Sequence, residues 1–282
     1  MPAFDRVEYW TALDGARLAL RREPAAGRCR AALVLLHGFG EHAGRYAHMA
    51  AWLAERGIAV FALDQRGHGA SPGTRGHIAR FAQYVSDVVA LRKLVAAEAP
   101  GPQLLLGHSF GGLVTLRFLE TDPAGLTGAI VTSPFLAIQM PVPRWKIALA
   151  HLLADVLPAL PIPTGLNFDD LCTDAAVVRA AQDDPLCHTV MTPRAYRELV
   201  AAQGHVAAER ERITVPLFFG LAGDDRIVSR LTTQKFAGSL AGDVTVRVYA
   251  GMFHEILNEP RQAEVMADLA PWLDRILEST AA

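Results

Sequence analysis

Cysteine is scarce. The 282 residues hold three, Cys29, Cys172 and Cys187, at long and irregular spacings. An odd count with no C-x-x-C pair argues against a disulfide framework and a cysteine-built zinc site. No charge of one sign dominates either, since 27 basic residues face 29 acidic ones and the formal net charge is −2. A chain with no basic excess has little to neutralise a phosphate backbone, which argues against nucleic acid as a partner. Long hydrophobic runs are missing too. Each greasy stretch is broken by proline or charge before the roughly 18 residues that a membrane-spanning helix needs. The opening residues, MPAFDRVEYW, show no apolar core of a secretory signal. The expected location is therefore cytoplasmic. Internal repeats and low-complexity tracts are absent.

What is present is apolar: 51% of the residues are hydrophobic, enough for a large core. The length suits one α/β domain. Residues 5–12 and 16–22 flank Asp14-Gly15, a turn pair that predicts a hairpin. Unbroken apolar runs at 31–36 and 58–63 predict strands buried on both faces. A helix is expected over 46–56 between them, closed by Gly57. Phe81, Tyr84, Val88, Leu91 and Val95 share one helical face. Further strands are expected at 104–106, 126–132, 216–221 and 244–249. Strands alternating with helices imply a mostly parallel sheet covered on both faces. The alternation breaks between about 135 and 212, where Pro134, Pro141, Pro143, Pro158, Pro161 and Pro163 punctuate helix-like segments. This stretch reads as a helical cap (135–212) inserted after the sixth strand of an eight-stranded sheet. The core is then 1–134 with 213–282. The apolar run 145–157 reads equally as cap interior or as a helix that touches a membrane surface transiently.

The chemistry centres on Gly107-His108-Ser109-Phe110-Gly111, a G-x-S-x-G pattern between an apolar strand and an amphipathic helix. A serine at such a sharp turn takes a strained backbone, and flanking glycines remove side chains that would collide. A bare match also describes a helix-capping serine, so the context carries the assignment. Serine needs a base. His254 lies just beyond the last strand, where the chain order nucleophile, acid, histidine requires it. The acid should follow the preceding strand, and Gly223-Asp224-Asp225 offers two candidates. Their side chains point differently, so one alone can orient the imidazole. Asp243 precedes its strand and belongs at the wrong end of the sheet. The oxyanion donors are expected to be the N–H groups of Phe110 and of Phe39, in the loop His37-Gly38-Phe39-Gly40. No cofactor and no metal is required. His254-Glu255 begins like a zinc motif, but position 258 is Asn.

With these residues placed, the chain resembles the monoacylglycerol lipase and lysophospholipase group of the α/β-hydrolase superfamily. The most specific piece is His37-Gly-Phe-Gly-Glu-His-Ala-Gly-Arg-Tyr46, similar to that group's HGxGEHxxRY. Asp64 to Ser71, Gly107 to Gly112, Gly251 to Glu255 and the cap element Asp184-Pro185-Leu186 are similar to further family segments. Asp225-Arg-Ile-Val matches the acid motif, which favours Asp225 over Asp224. The resemblance implies an α/β-hydrolase fold and an apolar acyl tunnel under the cap. It also implies hydrolysis of a single acyl ester on glycerol or a glycerophospho head group through an acyl-enzyme.

Three rivals remain at this stage. Gly38-Phe39-Gly40-Glu41-His42-Ala43 after a strand, with Asp64 about 20 residues on, fits a dinucleotide-binding fingerprint. That reading sets Glu41 beside a pyrophosphate and leaves the order Ser109, Asp225, His254 as coincidence. A noncatalytic binding module on the same fold is the second, since fold does not fix function. A peptidase or general carboxylesterase using the same three residues is the third. His68 and His77 are expected in structural or rim roles, and His37 and His108 beside the site without acting as bases.

Overall fold

The computed structural model describes residues 3–139 and 143–279. Pro141, one of the prolines in the interrupted stretch, lies outside them. The chain begins with the hairpin β1 (Glu8–Thr11) and β2 (Arg17–Glu23). It continues through β3 (Ala31–Leu36), α1 (Ala47–Ala54), β4 (Ile58–Leu63), α2 (Ala82–Glu98), β5 (Gln103–His108), α3 (Phe110–Leu119) and β6 (Leu126–Thr132). An inserted stretch follows, with α4 (Arg144–Val156), β7 (Ile162–Pro163), α5 (Ala175–Asp183), β8 (Val190–Met191) and α6 (Pro193–Ala208). The alternation resumes with β9 (Leu217–Ala222), α7 (Arg230–Ala237), β10 (Val244–Tyr249) and α8 (Gln262–Ser279).

Eight strands form one sheet in the order β1-β2-β4-β3-β5-β6-β9-β10. Only β2 runs against its neighbours, so the sheet is mostly parallel, as expected. Side chains alternate across it. Ala32, Val34 and Leu36 of β3 belong to the core that also holds residues of α2, α3, α6 and α7, whereas Ala31, Leu33 and Leu35 belong to the one that holds residues of α1 and α8. The central strands therefore carry no polar face, because neither side sees water. Each fully buried Leu or Phe contributes about 1.5–3 kcal/mol relative to exposure.

Several expected boundaries shift by a few residues, two of them for a visible physical reason. The first strand starts at Glu8 because Phe4 leaves the strand line to bury itself among α1 and β3 residues. Arg21 holds that turn by donating to the carbonyls of Phe4 and Asp5. The helix expected from Tyr46 starts at Ala47. Tyr46 closes a short 3-10 turn capped by His42, whose Nδ1 accepts from Gly44 N–H. The two-residue strands β7 and β8 pair inside the insertion and had no signal in the sequence.

The insertion is not uniform. α6 buries Ala195, Leu199, Ala202 and Val206 in the same core as α2 and α3. α4 rests on α6 and turns Leu152 and Val156 outward, 62% and 66% exposed. Among the described residues no helix is long and apolar enough to cross a membrane.

The crossing of α3 over β3 offers a direct test. A Cβ at Gly111 would run into the carbonyl oxygens of Leu36 and His37, backbone atoms at the carboxyl end of β3 and just beyond it. Gly111→Ala must lift α3 off the sheet. The expected loss is about 2 kcal/mol or more, read as a lower chemical denaturation midpoint. An unchanged midpoint would mean that the helix is not seated this closely.

Candidate active site

All the candidate residues stand at the carboxyl ends of the parallel strands, where such sheets leave a crevice. Ser109 sits between β5 and α3 with φ 51° and ψ −112°, a conformation that L side chains rarely adopt. The surrounding backbone holds it there. Ser109 N–H donates to Thr132 O at 2.8 Å, and Phe135 N–H donates to Ser109 O at 2.9 Å. Gly107 and Gly111 leave no room for a Cβ, since one at Gly107 would meet Gly111 O and Thr115 Oγ1. Both glycines of the motif are thus explained by close approach of backbone.

Asp225 follows β9 and His254 follows β10. His254 Nε2 lies 2.8 Å from Ser109 Oγ, and His254 Nδ1 lies 2.9 Å from Asp225 Oδ2. The other oxygen of Asp225 accepts from the N–H groups of Ile227 and Val228, both at 2.9 Å. An acceptor on the Nδ1 side places the imidazole proton there and leaves Nε2 free to take one from serine. Asp224 is exposed and its N–H is tied to Met252 O, so it does not share this role. Asp243 pairs with Arg275 on the surface.

Electrostatics favour a base. Burial pushes the His254 imidazolium down, but the Asp225 charge and hydrogen bond, with Glu255 and Glu41 adding, raise it above the ordinary histidine value. Burial opposes ionisation of Asp225. The His254 imidazole and two backbone N–H groups outweigh it and hold the carboxyl below the ordinary range. His108, with its ring 4.9 Å from that of His254, is pushed down to about 3 by burial and stays neutral. His37 behaves alike and accepts from Gln65 N–H through Nε2. Neither competes as a base.

Phe110 opens α3, so its N–H is one of the helix-start donors that lack an intrahelical partner. Phe39 lies in the loop after β3 and lines the same cavity as Ser109 and Phe110. That loop is pinned by Glu41, whose carboxylate accepts from Gly38 N–H and from Tyr46 Oη at 2.6 Å. Arg45 links Glu41, at 2.7 Å, to both oxygens of Glu255, at 2.6 Å each. Burial opposes the charge on Glu255, but Arg45 holds its carboxyl down at about 2. The reading of the residues gave this buried cluster no part. The signal was available in Glu41 and Arg45 four residues apart, and in a second acid directly after His254.

The remaining histidines and the dinucleotide rival are settled by geometry. His68 is fully buried among His37, Phe39, Phe110 and His188 rather than on a rim. His77 bonds Thr192 at 2.9 Å. Two of the amides a pyrophosphate would need are taken: Gly38 N–H by Glu41, and Ala43 N–H by Asp64. Asp64 also accepts from Ala70 N–H. It fastens two loops and is not available to a ribose. Among the described residues, His42, Asp184 and Cys187 could offer three ligand atoms to a metal ion. His42 already spends both nitrogens, on Gly44 N–H and Asp184, and burial pushes the Cys187 thiol up to about 12. Hydrogen bonding accounts for that group.

A cavity of about 400 Å³ opens on Ser109 and His254. That volume suits a small organic ligand. Core loops supply Gly38, Glu41, Arg45 and Glu255 to its wall, and the insertion supplies Leu149, Leu153, Ile162, Leu166, Met191 and Leu199.

A family model described as serine aminopeptidase, S33, a hydrolase family, matches residues 27–261. The chain belongs to this family. It is 32% identical over 250 residues to a monoacylglycerol lipase of Mycolicibacterium smegmatis, covering 86% of this chain and 88% of that one. A phospholipase of Bacillus subtilis is 32% identical over 257 residues, with 89% and 98% covered. The crystal structure of Paleococcus ferrophilus monoacylglycerol lipase superposes with a TM-score of 0.81 at 29% identity, covering 93% of this chain and 98% of that one. The protein is an α/β-hydrolase of the monoacylglycerol lipase and lysophospholipase group, and a hydrolase of esters.

The balance at His254 gives a titration test. Replacing Asp225 by Asn leaves burial and removes the charge that opposes it. The His254 midpoint, followed by imidazole NMR, should lie above the ordinary value near 6.5 in the wild type and fall in Asp225→Asn. A midpoint that rises or stays put in the variant would contradict the Asp225–His254 pairing.

Proposed function

We propose that this hydrolase cleaves the carboxylic ester of monoacylglycerols or related single-acyl lipids, with Ser109, His254 and Asp225 as its catalytic triad. The observation that carries the reading is the hydrogen-bonded chain Ser109–His254–Asp225 opening onto a cavity with a polar wall and an apolar wall. Ser109 Oγ attacks the ester carbonyl while His254 Nε2 takes its proton. Asp225 keeps the imidazole oriented and stabilises its cation. The N–H groups of Phe39 and Phe110 receive the oxyanion. His254 then protonates the leaving alcohol, and a water activated by His254 releases the fatty acid. The leucines and isoleucines of the insertion suit an acyl chain. Glu41, Arg45 and Glu255 offer acceptors and donors to the hydroxyls of a small alcohol. The relatives act in the same direction by their names, as monoacylglycerol lipase and phospholipase.

Residues 135–212 serve as the cap in this reading. Its outer helix faces a lipid surface with Leu149, Leu152, Val156 and Leu157, all exposed. Apolar residues clustered on one exposed helix mark a contact rather than chance.

Two experiments check these assignments. Wild type and Ser109→Ala are compared on 1-monoacylglycerols of graded chain length, with lysophosphatidylcholine and p-nitrophenyl esters alongside. The variant should lose about 10⁴-fold or more of kcat, and the wild type should prefer monoacylglycerol. Preference for short p-nitrophenyl esters alone would demote it to a general esterase, and full activity in Ser109→Ala would remove the triad. For the surface, Leu152→Ser with Val156→Ser should bind phospholipid vesicles more weakly. It should slow hydrolysis of aggregated substrate and spare monomeric short-chain esters. Equal effects on both substrate forms would remove the membrane role.

A further inference from the structure

The element Asp184-Pro185-Leu186 has no place in the reaction as described so far. It lies between α5 and β8, and its contacts converge on one target, the loop after β3. His42 Nε2 and Asp184 Oδ2 are 2.9 Å apart. Because His42 Nδ1 accepts from Gly44 N–H, Nε2 carries the proton and donates to Asp184. The second oxygen of Asp184 accepts from Leu186 N–H at 2.8 Å, and its carbonyl accepts from Cys187 N–H at 3.0 Å. The segment is thereby folded into a tight turn that presents His188. His188 N–H donates to Gly40 O at 2.7 Å. The approach is close enough that a Cβ on Gly40 would strike His188 O, and Gly40 has φ +76°. The His188 ring meets the Phe39 ring edge-on, with centroids 5.6 Å apart.

Phe39 and Gly40 are thus held from outside the core, on both ring and backbone. From this geometry we infer that the 184–188 turn of the insertion positions the Phe39 N–H donor, with Asp184 and His188 as positioning residues. The inference rests on Ser109 as nucleophile and Phe39 N–H as an oxyanion donor. Glu41 fixes the start of the same loop through Gly38 N–H, and His68 and Phe110 of the core meet the Phe39 ring edge-on at 4.9 and 5.9 Å; the insertion adds the ring contact of His188 and the hydrogen bond to Gly40 O. An oxyanion donor must sit within a few tenths of an ångström of its target to act. Loss of the latch should therefore appear in the chemical step rather than in substrate binding.

The test uses the full chain and compares Asp184→Ala, Asp184→Asn and His188→Ala with wild type. Asp184→Ala should lower kcat about tenfold or more with KM within about twofold. Asp184→Asn should recover most of the rate, because its amide oxygen accepts the same His42 N–H. His188→Ala keeps the backbone bond to Gly40, loses the ring contact and should fall between. A second readout separates positioning from folding. Sulfur accepts hydrogen bonds weakly, so an ester and its thionoester differ in their dependence on oxyanion donors. The ester-to-thionoester rate ratio should shrink in Asp184→Ala. Unchanged kcat in Asp184→Ala and His188→Ala overturns the inference. So does an equal loss on ester and thionoester accompanied by a lower melting temperature, which marks a structural role. Should Asp184→Ala not fold, His188→Ala decides alone by the same ratio. A wild type inactive on every ester removes the nucleophile reading beneath it and the inference with it.

Discussion

The structure depends on one constraint, the positive φ of Ser109. Nothing intrinsic to serine favours that conformation, and left alone the residue would relax into a helical or extended one. It persists because backbone is packed against backbone on every side. Gly107 and Gly111 let α3 sit on the carbonyls of β3, Thr132 O receives the Ser109 amide, and Phe135 N–H grips its carbonyl. The turn that supplies Phe135 is itself strained. Ser133 has φ 41°, and among the described residues it and Ser109 alone are non-glycine residues with positive φ. Ser133 N–H bonds Gly220 O in β9, the strand that leads to Asp225. Two strained serines on neighbouring strand ends therefore join the Ser109 turn to the strand that leads to Asp225.

Charge is arranged around this turn with the same economy. Four carboxylates approach the site: Asp225, Glu255, Glu41 and, at its edge, Asp184. Each has donors that account for its burial. Asp225 has two amides and an imidazole, Glu255 has Arg45 and Asn258, and Glu41 has Gly38, Arg45 and Tyr46. Breaking a buried ion pair by removing one partner typically costs about 3–5 kcal/mol. Arg45 bears that burden for two carboxylates at once, joining the loop after β3 to the loop after β10. The histidines respond in opposite directions. Burial leaves His37 and His108 neutral at about 3, while Asp225 lifts His254 above its ordinary value. Of these three imidazoles, His254 is the one beside a carboxylate and the one equipped to gain a proton.

Much of this was legible in the residues. Fully apolar runs located β3 and β4 to the residue, because strands buried on both faces tolerate no polar interruption; β6 and β10 were placed equally well although both carry polar residues. Ser109 and His254 followed from motif and chain order. The choice of Asp225 over Asp224 rested instead on the likeness of Asp225-Arg-Ile-Val to the family's acid motif, since adjacent aspartates on a loop look alike by spacing alone. Phe4 escaped because a three-residue turn has no periodicity. The Arg45 cluster escaped for a different reason. Arg45 and Glu255 are 210 residues apart in sequence, and charged residues are ordinarily read as surface. The insertion was legible only as an interruption, because its helices take their partners from one another and from α3 rather than from a repeating strand.

That last point bears on what the insertion is. An independent cap would have its own core and meet the sheet domain along a polar seam. Here the rear helix α6 shares the core of α2 and α3, Glu198 on α6 accepts from Phe81 N–H, and Thr192 at its start bonds both Gly76 O and His77. The front helix α4 lies on α6 and is bound to it by Asp155 with Arg194 and Arg197. Exposed ion pairs of this kind hold weakly, typically at about 1 kcal/mol or less. The inner part of the inserted stretch is therefore continuous with the core beneath the sheet, which is why it does not stand apart as a body of its own.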